Sequence, residues 1–332
     1  VAGLRTLLLE RDDLASGSSG AIFGLVQVQD AEFGLSLEMT LRGFAQFSTL
    51  EAELDYDIGF GQSGYLLLIE NELQWAVMED RAARLREHGV DADLLNQNEV
   101  CQVEPHLAPA SVIGALYHPN EGKVDPFKLV HAYAWRGQER GLSVQTHAEV
   151  TGIRARNGRV IGVSTRDSDV SAKWVVLAAG AWTRRLGQTI GLDLPVRSIH
   201  GEALITEPRP SIARNAMASA SFFDETESAA DQVVGFCLNQ RPHGNIMLGE
   251  AARVTNGLSR RVTAPALPKI ANEAQRHFPI LRDSAILRGW ATPVAFTLDN
   301  RPLLGPVDGL DGLLIATAFK STIILTPQTG NC

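Results

Sequence analysis

The sequence predicts an α/β protein in which a doubly wound, nucleotide-binding unit is interrupted by an antiparallel sheet domain. Three observations carry that reading. Short apolar runs at Leu4–Leu9, Trp174–Gly180 and Leu313–Ala316 have the composition of buried parallel strands. Stretches with helical apolar spacing separate them. Between the second and third runs, Leu204 to Leu248 alternates more loosely, as antiparallel strands joined by loops do.

In chain order, Leu4-Arg5-Thr6-Leu7-Leu8-Leu9 closes on Glu10, and the small-residue loop Ala15-Ser16-Gly17-Ser18-Ser19-Gly20 follows. With so little side-chain bulk, such a loop lets backbone N–H groups approach an anion. Leu37 to Leu54 is helical by spacing, Gly64 to Ile69 is a strand, and Leu73 to His88 is a charged helix. Asp125-Pro126 opens the amphipathic helix Phe127 to Arg140, with proline where its missing N–H costs nothing. Ser143 to Thr146 is a strand, and Val150–Arg154 and Arg159–Thr165 are hairpin arms about Asn157-Gly158. A helical apolar stretch follows Leu313–Ala316. The nucleotide-binding unit is expected to be discontinuous, over residues 1–61, 122–195 and 286–332. The antiparallel domain takes 62–121 and 196–285.

Composition narrows the function classes. The chain has 332 residues, 45% of them hydrophobic and 20% charged, ordinary for a globular enzyme of two domains. A net charge of −8 disfavours nucleic acid as a partner, which calls for a basic stripe. No apolar run reaches the roughly 18 to 20 residues that span a bilayer, and no signal peptide is visible. Cys101, Cys237 and Cys332 are too sparse for a disulfide framework or a metal site, so a cytoplasmic setting is expected.

An acidic residue that ends the second strand of a dinucleotide-binding βαβ unit accepts hydrogen bonds from ribose hydroxyls, about 20 residues after a GxGxxG turn. Glu10 has that place, although the turn itself is not in this sequence; alternatively, it is a surface residue capping a strand. Several segments together resemble the D-amino-acid oxidase-like superfamily of FAD-dependent oxidoreductases, in its glycine oxidase, sarcosine oxidase and D-amino-acid dehydrogenase branches. They are Leu7-Leu8-Leu9-Glu10-Arg11 with the serine loop, Val124-Asp125-Pro126, and Val175-Val176-Leu177-Ala178-Ala179-Gly180-Ala181-Trp182. The C-terminal part adds Arg288-Gly289-Trp290-Ala291 and Asp299-Asn300-Arg301-Pro302-Leu303-Leu304-Gly305-Pro306, then Asp311 to Ala316. The matches run in order along nearly the whole chain.

The resemblance implies a glutathione-reductase-like FAD-binding domain and an antiparallel-sheet substrate domain. It implies that FAD is held by Glu10 at the ribose with Arg11 beside it, and by Ser18 and Ser19 at the phosphates. Gly24 and Leu25 would run along the isoalloxazine, and Val150 would lie at the adenine. Ala179, Gly180 and Trp182 would border the pyrophosphate, and Lys320, Ser321, Thr322 and Ile323 the pyrimidine end. For Val150 and Ala179, core packing is equally open. Lys320, where glycine oxidase-like members carry an arginine, would be a cation beside the reduced ring, or else a solvated loop residue. His200 is either an acid–base group or a structural histidine; Arg197 and Arg241 share its presumed domain.

Departures from the pattern are equally informative. Val294 stands where many amino-acid-oxidising members carry an arginine that forks to the substrate carboxylate. Thr317 and Thr322 replace glycines, and Met247 stands where sarcosine oxidases carry a lysine linked to oxygen activation. The resemblance therefore implies oxidation of a C–N bond in an amino acid or secondary amine, by hydride transfer to flavin. Oxygen or a downstream carrier would then take the electrons, either in a single protein or in the flavin-carrying part of a multi-subunit dehydrogenase. The alternative is a truncated, non-catalytic relative that binds a partner; an NAD-linked dehydrogenase explains the C-terminal segments poorly.

Overall fold

A computed structural model describes residues 3–223, 233–319 and 322–330. The largest sheet has eight strands, running from Ile286–Phe296 at one edge to Asp93–Asn96 at the other. Between these edges lie Arg197–Thr206, Ile246–Thr255, Val233–Gln240, Ala216–Ser219, Tyr65–Ile69 and Gly114–His118, in that order. All neighbours are antiparallel except Ala216–Ser219, which runs parallel to Tyr65–Ile69.

Alternation along these strands divides the side chains between two apolar layers. One face sends Tyr65, Leu67, Ile69, Ala216 and Ala218 against the helix Leu35–Leu54, through Phe47 and Leu50. The other sends Leu66, Leu68, Met217, Leu204 and Leu248 against the helix Ala266–His277, through Ile270 and Ala274. Each fully buried Leu or Ile of this kind contributes about 1.5–3 kcal/mol, and the two layers hold the sheet from both sides.

Four smaller sheets make up the other half. Thr6–Leu9 pairs in parallel with Leu142–Gln145, and Val175–Leu177 in parallel with Leu313–Thr317, whose other side takes Leu303–Pro306. Val150–Arg156 and Arg159–Thr165 form the expected hairpin, with Asn157 and Gly158 at φ 50° and 71°, the left-handed pair that a two-residue turn demands. Leu25–Val26, Gly122–Lys123 and Gly61–Gln62 form a short ribbon.

Two expectations require revision. The runs ending at Glu10 and Gly180 were expected to be buried, yet Leu7, Leu8 and Val176 are 41%, 38% and 58% exposed. Each of these strands has a hydrogen-bonded neighbour along one edge only among the described residues, so its apolar side chains are only partly covered. Residues 286–296, expected with the nucleotide half, pair along their length with Arg197–Thr206 and complete the eight-stranded sheet.

Candidate cofactor and substrate site

The C-terminal ends of two parallel strands meet at this site. Glu10 leaves its strand with its N–H donating to the Gln145 carbonyl at 2.9 Å, while its own carbonyl accepts from Ala148 N at 2.8 Å. One carboxylate oxygen accepts from Asp12 N at 2.9 Å, and the other makes no hydrogen bond among the described residues. Arg11 places its guanidinium 4.3 Å from the centre of the Trp182 ring, which bridges to the turn after Val175–Leu177. Val150 opens its strand two residues beyond Ala148, beside Glu10.

Gly180 adopts φ +52°, and a Cβ there would meet nothing within 4 Å, so the turn Ala179-Gly180 faces open space. The Gly180 carbonyl accepts from the Thr317 hydroxyl at 3.3 Å, and Thr183 donates to the same hydroxyl at 3.2 Å. Thr317 thus serves as a buried tie between this turn and Thr183.

The serine loop is fastened to the edge strand of the large sheet. The Ser18 hydroxyl donates to the Pro293 carbonyl at 2.8 Å and accepts from the Thr292 hydroxyl at 3.2 Å, and Trp290 Nε1 donates to the Ala21 carbonyl at 2.9 Å. The Ser18 proton is therefore committed to the strand. Ser19 is exposed and makes no side-chain hydrogen bond among the described residues, which leaves its hydroxyl free to donate to an anion. A Cβ on Gly24 would lie 2.2 Å from the Val124 carbonyl oxygen, and the residue sits at φ +74°, so both space and backbone require glycine.

Gly24 leads into Leu25, which packs with Ile22, Phe23, Phe319 and Ile323 in one apolar cluster. Residues from near the two ends of the chain are thereby brought together. Thr322 N donates to the Phe319 carbonyl at 2.8 Å. Lys320 and Ser321 lie outside the described residues.

Trp290, Thr292 and Val294 project from the face of the large sheet that meets this segment, and register puts Met247 and Gly249 on the same face. Asn239 donates to the Phe23 carbonyl at 2.8 Å, and the Phe23 ring occupies the space that a Cβ on Gly249 would need. A Cβ on Gly201 would meet only Val294 and Thr292, at 4.0 and 3.9 Å, so this stretch of the face is open.

His200 is not brought to this group. It points to the opposite face with Glu202 and Leu204, is 3% exposed, and donates from Nδ1 to the Ser259 carbonyl at 3.2 Å. Arg241, in contrast, reaches out of the large sheet to Asp125 Oδ2 at 2.8 Å and to the Val124 carbonyl at 3.2 Å, which ties it to the segment packed against Gly24. Sequence reasoning missed this tie, because no spacing links positions 116 residues apart. Glu121 was missed as well. It is fully buried, accepts from Val28 N and Gln29 N at 2.5 and 2.7 Å, and burial pushes its carboxyl up to about 8.

Over residues 1–331 the chain matches the DAO family of FAD-dependent oxidoreductases. It belongs to that family. Glycine oxidase from Geobacillus kaustophilus is 27% identical over 336 residues, covering 98% of this chain and 84% of that protein. Its crystal structure superposes with a TM-score of 0.87 at 25% identity, over 98% of this chain and 85% of that one. Mitochondrial dimethylglycine dehydrogenase from Mus musculus is 24% identical over 340 residues, 97% of this chain but 38% of that protein. The beta subunit of sarcosine oxidase from Rhizobium meliloti is 27% identical over 290 residues, 85% of this chain and 66% of that protein.

FAD is the cofactor of this family, and the residues fit it. A carboxylate oxygen at Glu10 that has no partner among the described residues and a glycine turn facing open space lie at the ends of parallel strands, where an open α/β sheet takes a nucleotide, and Ser19 offers an exposed hydroxyl in the loop that follows. No group of His, Cys, Asp or Glu among the described residues could hold a metal ion. Nor is any described helix long and apolar enough to cross a membrane.

Proposed function

We propose that this FAD-dependent oxidoreductase oxidises the C–N bond of an amino acid or secondary amine to an imine. The observation that carries the reading is the open sheet face. Met247, Thr292, Val294 and Gly201 share the face that meets the segment Ser18–Leu25, and a Cβ on Gly201 would touch only its strand neighbours, which supports a small substrate held beside that glycine. Bound FAD would supply the two-electron acceptor that oxidation of a carbon next to nitrogen requires.

The chain's residues bind and orient. Glu10 takes the ribose hydroxyls, Arg11 and Trp182 close the strand ends over them, and Val150 borders the adenine. Ala179 and Gly180 let the backbone pass the pyrophosphate, while Ser19, more than Ser18, donates to phosphate. Gly24, Leu25 and Ile323, with Thr322 and Ser321, line the ring. Lys320 is assigned the cation that stabilises charge on the reduced ring. Met247 and Val294 make the substrate wall apolar, which supports a substrate held otherwise than by an arginine fork to its carboxylate. On this reading the sheet-borne substrate domain is residues 62–121 and 196–296, and the remainder binds FAD.

Two relatives are named as components of larger enzymes, one of sarcosine oxidase and one of opine oxidase, both from Rhizobium meliloti. This supports a role as one component of a multi-subunit dehydrogenase. Purified protein, loaded with FAD and made anaerobic, is to be mixed with glycine, sarcosine, proline and N-carboxyalkyl amino acids in turn. Loss of the oxidised flavin absorbance with at least one of them is expected. An unchanged spectrum across the panel, with FAD bound, rules out amine oxidation.

A further inference from the structure

Residues 256–265 join the strand Ile246–Thr255 to the helix Ala266–His277 and form a strap outside the large sheet. Three anchors fix this strap. His200 Nδ1–H donates to the Ser259 carbonyl at 3.2 Å, and Glu202 accepts from Thr263 N at 2.6 Å and from its hydroxyl at 2.8 Å. Leu258 packs on the apolar cluster around Leu177 and Leu313. His200 and Glu202 are 3% and 1% exposed, so these hydrogen bonds act at low dielectric, where they hold geometry well.

From between these anchors Arg260 reaches across to the loop that joins Glu10 to Ser18. Its Nη2 lies 3.3 Å from Asp12 Oδ2, and its Nη1 donates to the Ser16 carbonyl at 3.1 Å. The same Asp12 oxygen takes Arg11 Nη2 at 2.9 Å, so one carboxylate sits between two guanidiniums. The Arg11 hydrogen bond, with both cations, holds the Asp12 carboxyl below its usual range. Arg11 and Arg260 line one open cavity of about 470 Å³.

We propose that Arg260 is a positioning residue for the cofactor: the strap, fixed by buried His200 and Glu202, holds the loop Asp12–Ser16 in the shape that presents Glu10 and Ser19. The loop Asp12-Asp13-Leu14-Ala15-Ser16 turns through Ala15 at φ +60°, and its backbone is tied elsewhere by His147 N, which donates to the Asp12 carbonyl at 3.1 Å, and by Ser16 N, which donates to the Asp13 carbonyl at 3.1 Å. Ordering such a loop only when a ligand arrives lowers affinity, and a fork to its carboxylate and its backbone removes part of that cost in advance. This inference rests on the FAD reading of Glu10 and Ser19. It also gives the buried His200 a role remote from the reacting atoms.

The test is the FAD dissociation constant, measured by flavin fluorescence on the full chain, for Arg260→Ala, Arg260→Lys, Asp12→Asn, Glu202→Gln and pairwise combinations. Loss of Arg260 should weaken FAD about three- to tenfold and leave the unfolding midpoint of the apoprotein in place. Lysine should restore part of the affinity, since it reaches Asp12 but cannot fork to Ser16. The losses from Arg260→Ala and Asp12→Asn should be less than multiplicative together, and Glu202→Gln should add nothing once Arg260 is gone. If the native chain binds FAD and Arg260→Ala binds it equally well, the positioning role is overturned. If the native chain binds no FAD, the cofactor reading fails instead. Should Glu202→Gln not fold, the cycle between Arg260 and Asp12 decides alone.

Discussion

Among single residues, burial and shape set two outcomes. Glu121 sits with no exposed surface among the backbone N–H groups of Val28 and Gln29, and its carboxyl is raised from 4.5 to about 8. A carboxyl raised in this way favours the protonated form in the folded state. Its stabilising contribution is complete below pH 4.5 and is lost as the pH climbs through about 8. The unfolding midpoint should therefore fall as the pH rises from about 6 to about 9. Glu121→Gln, which keeps the acceptor and cannot ionise, should lose less over that range; equal pH slopes for the two proteins would exclude Glu121 as the source. Gly24 is constrained by shape rather than charge. Gly24→Ala adds a Cβ 2.2 Å from the Val124 oxygen at a left-handed φ of +74°, and should cost about 1–3 kcal/mol in a urea unfolding curve.

Among the elements, the helix Pro126–Glu139 shows how one side chain serves two purposes. Asp125 Oδ1 accepts from Phe127 N and Lys128 N at 2.9 and 3.1 Å, capping the helix, while Oδ2 holds Arg241 at 2.8 Å. Arg241 is 14% exposed on its side chain, so it relies on that partner. Asp125→Ala should cost about 1 kcal/mol for the cap alone, and more because the largely desolvated guanidinium loses its anion. Asp125→Ser restores the cap without the ion pair, and should recover only part of the loss in chemical denaturation. Full recovery by serine would show that the tie to Arg241 contributes nothing to stability.

Across the whole molecule, the cofactor segment is held between two bodies. Ser18 is fastened to Pro293 and Thr292 of the large sheet, while Glu10 belongs to the parallel pair on the other side. A ligand that bridges them stabilises the folded state by mass action, about 2.7 kcal/mol at a hundredfold excess over its dissociation constant. The thermal midpoint should rise with added FAD and keep rising with the logarithm of its concentration. A midpoint indifferent to FAD would mean that the folded chain has no site for it. Glu10→Ala should shrink the rise without lowering the midpoint of the apoprotein, since among the described residues its carboxylate accepts only one local hydrogen bond, from Asp12 N.

Much of this was legible in the sequence where the cause is local. Asn157-Gly158 forces its hairpin because both residues tolerate positive φ, and Asp125-Pro126 starts a helix because a carboxylate can cap the first free N–H groups. The runs before Glu10 and Gly180 form strands because their leucines and valines fit no amphipathic helix. Order along the chain then sufficed to suggest an FAD-dependent family. What lies far apart in sequence had to wait for the tertiary structure. The parallel pairing of Ala216–Ser219 with Tyr65–Ile69, the reach of Arg241 to Asp125 and the grip of Arg260 on Asp12 carry no periodic signal. Which face His200 occupies was equally undecided. A strand's alternation says only that neighbours point opposite ways, and register with Pro293 and the strap beyond it determines that the imidazole turns away from the open face.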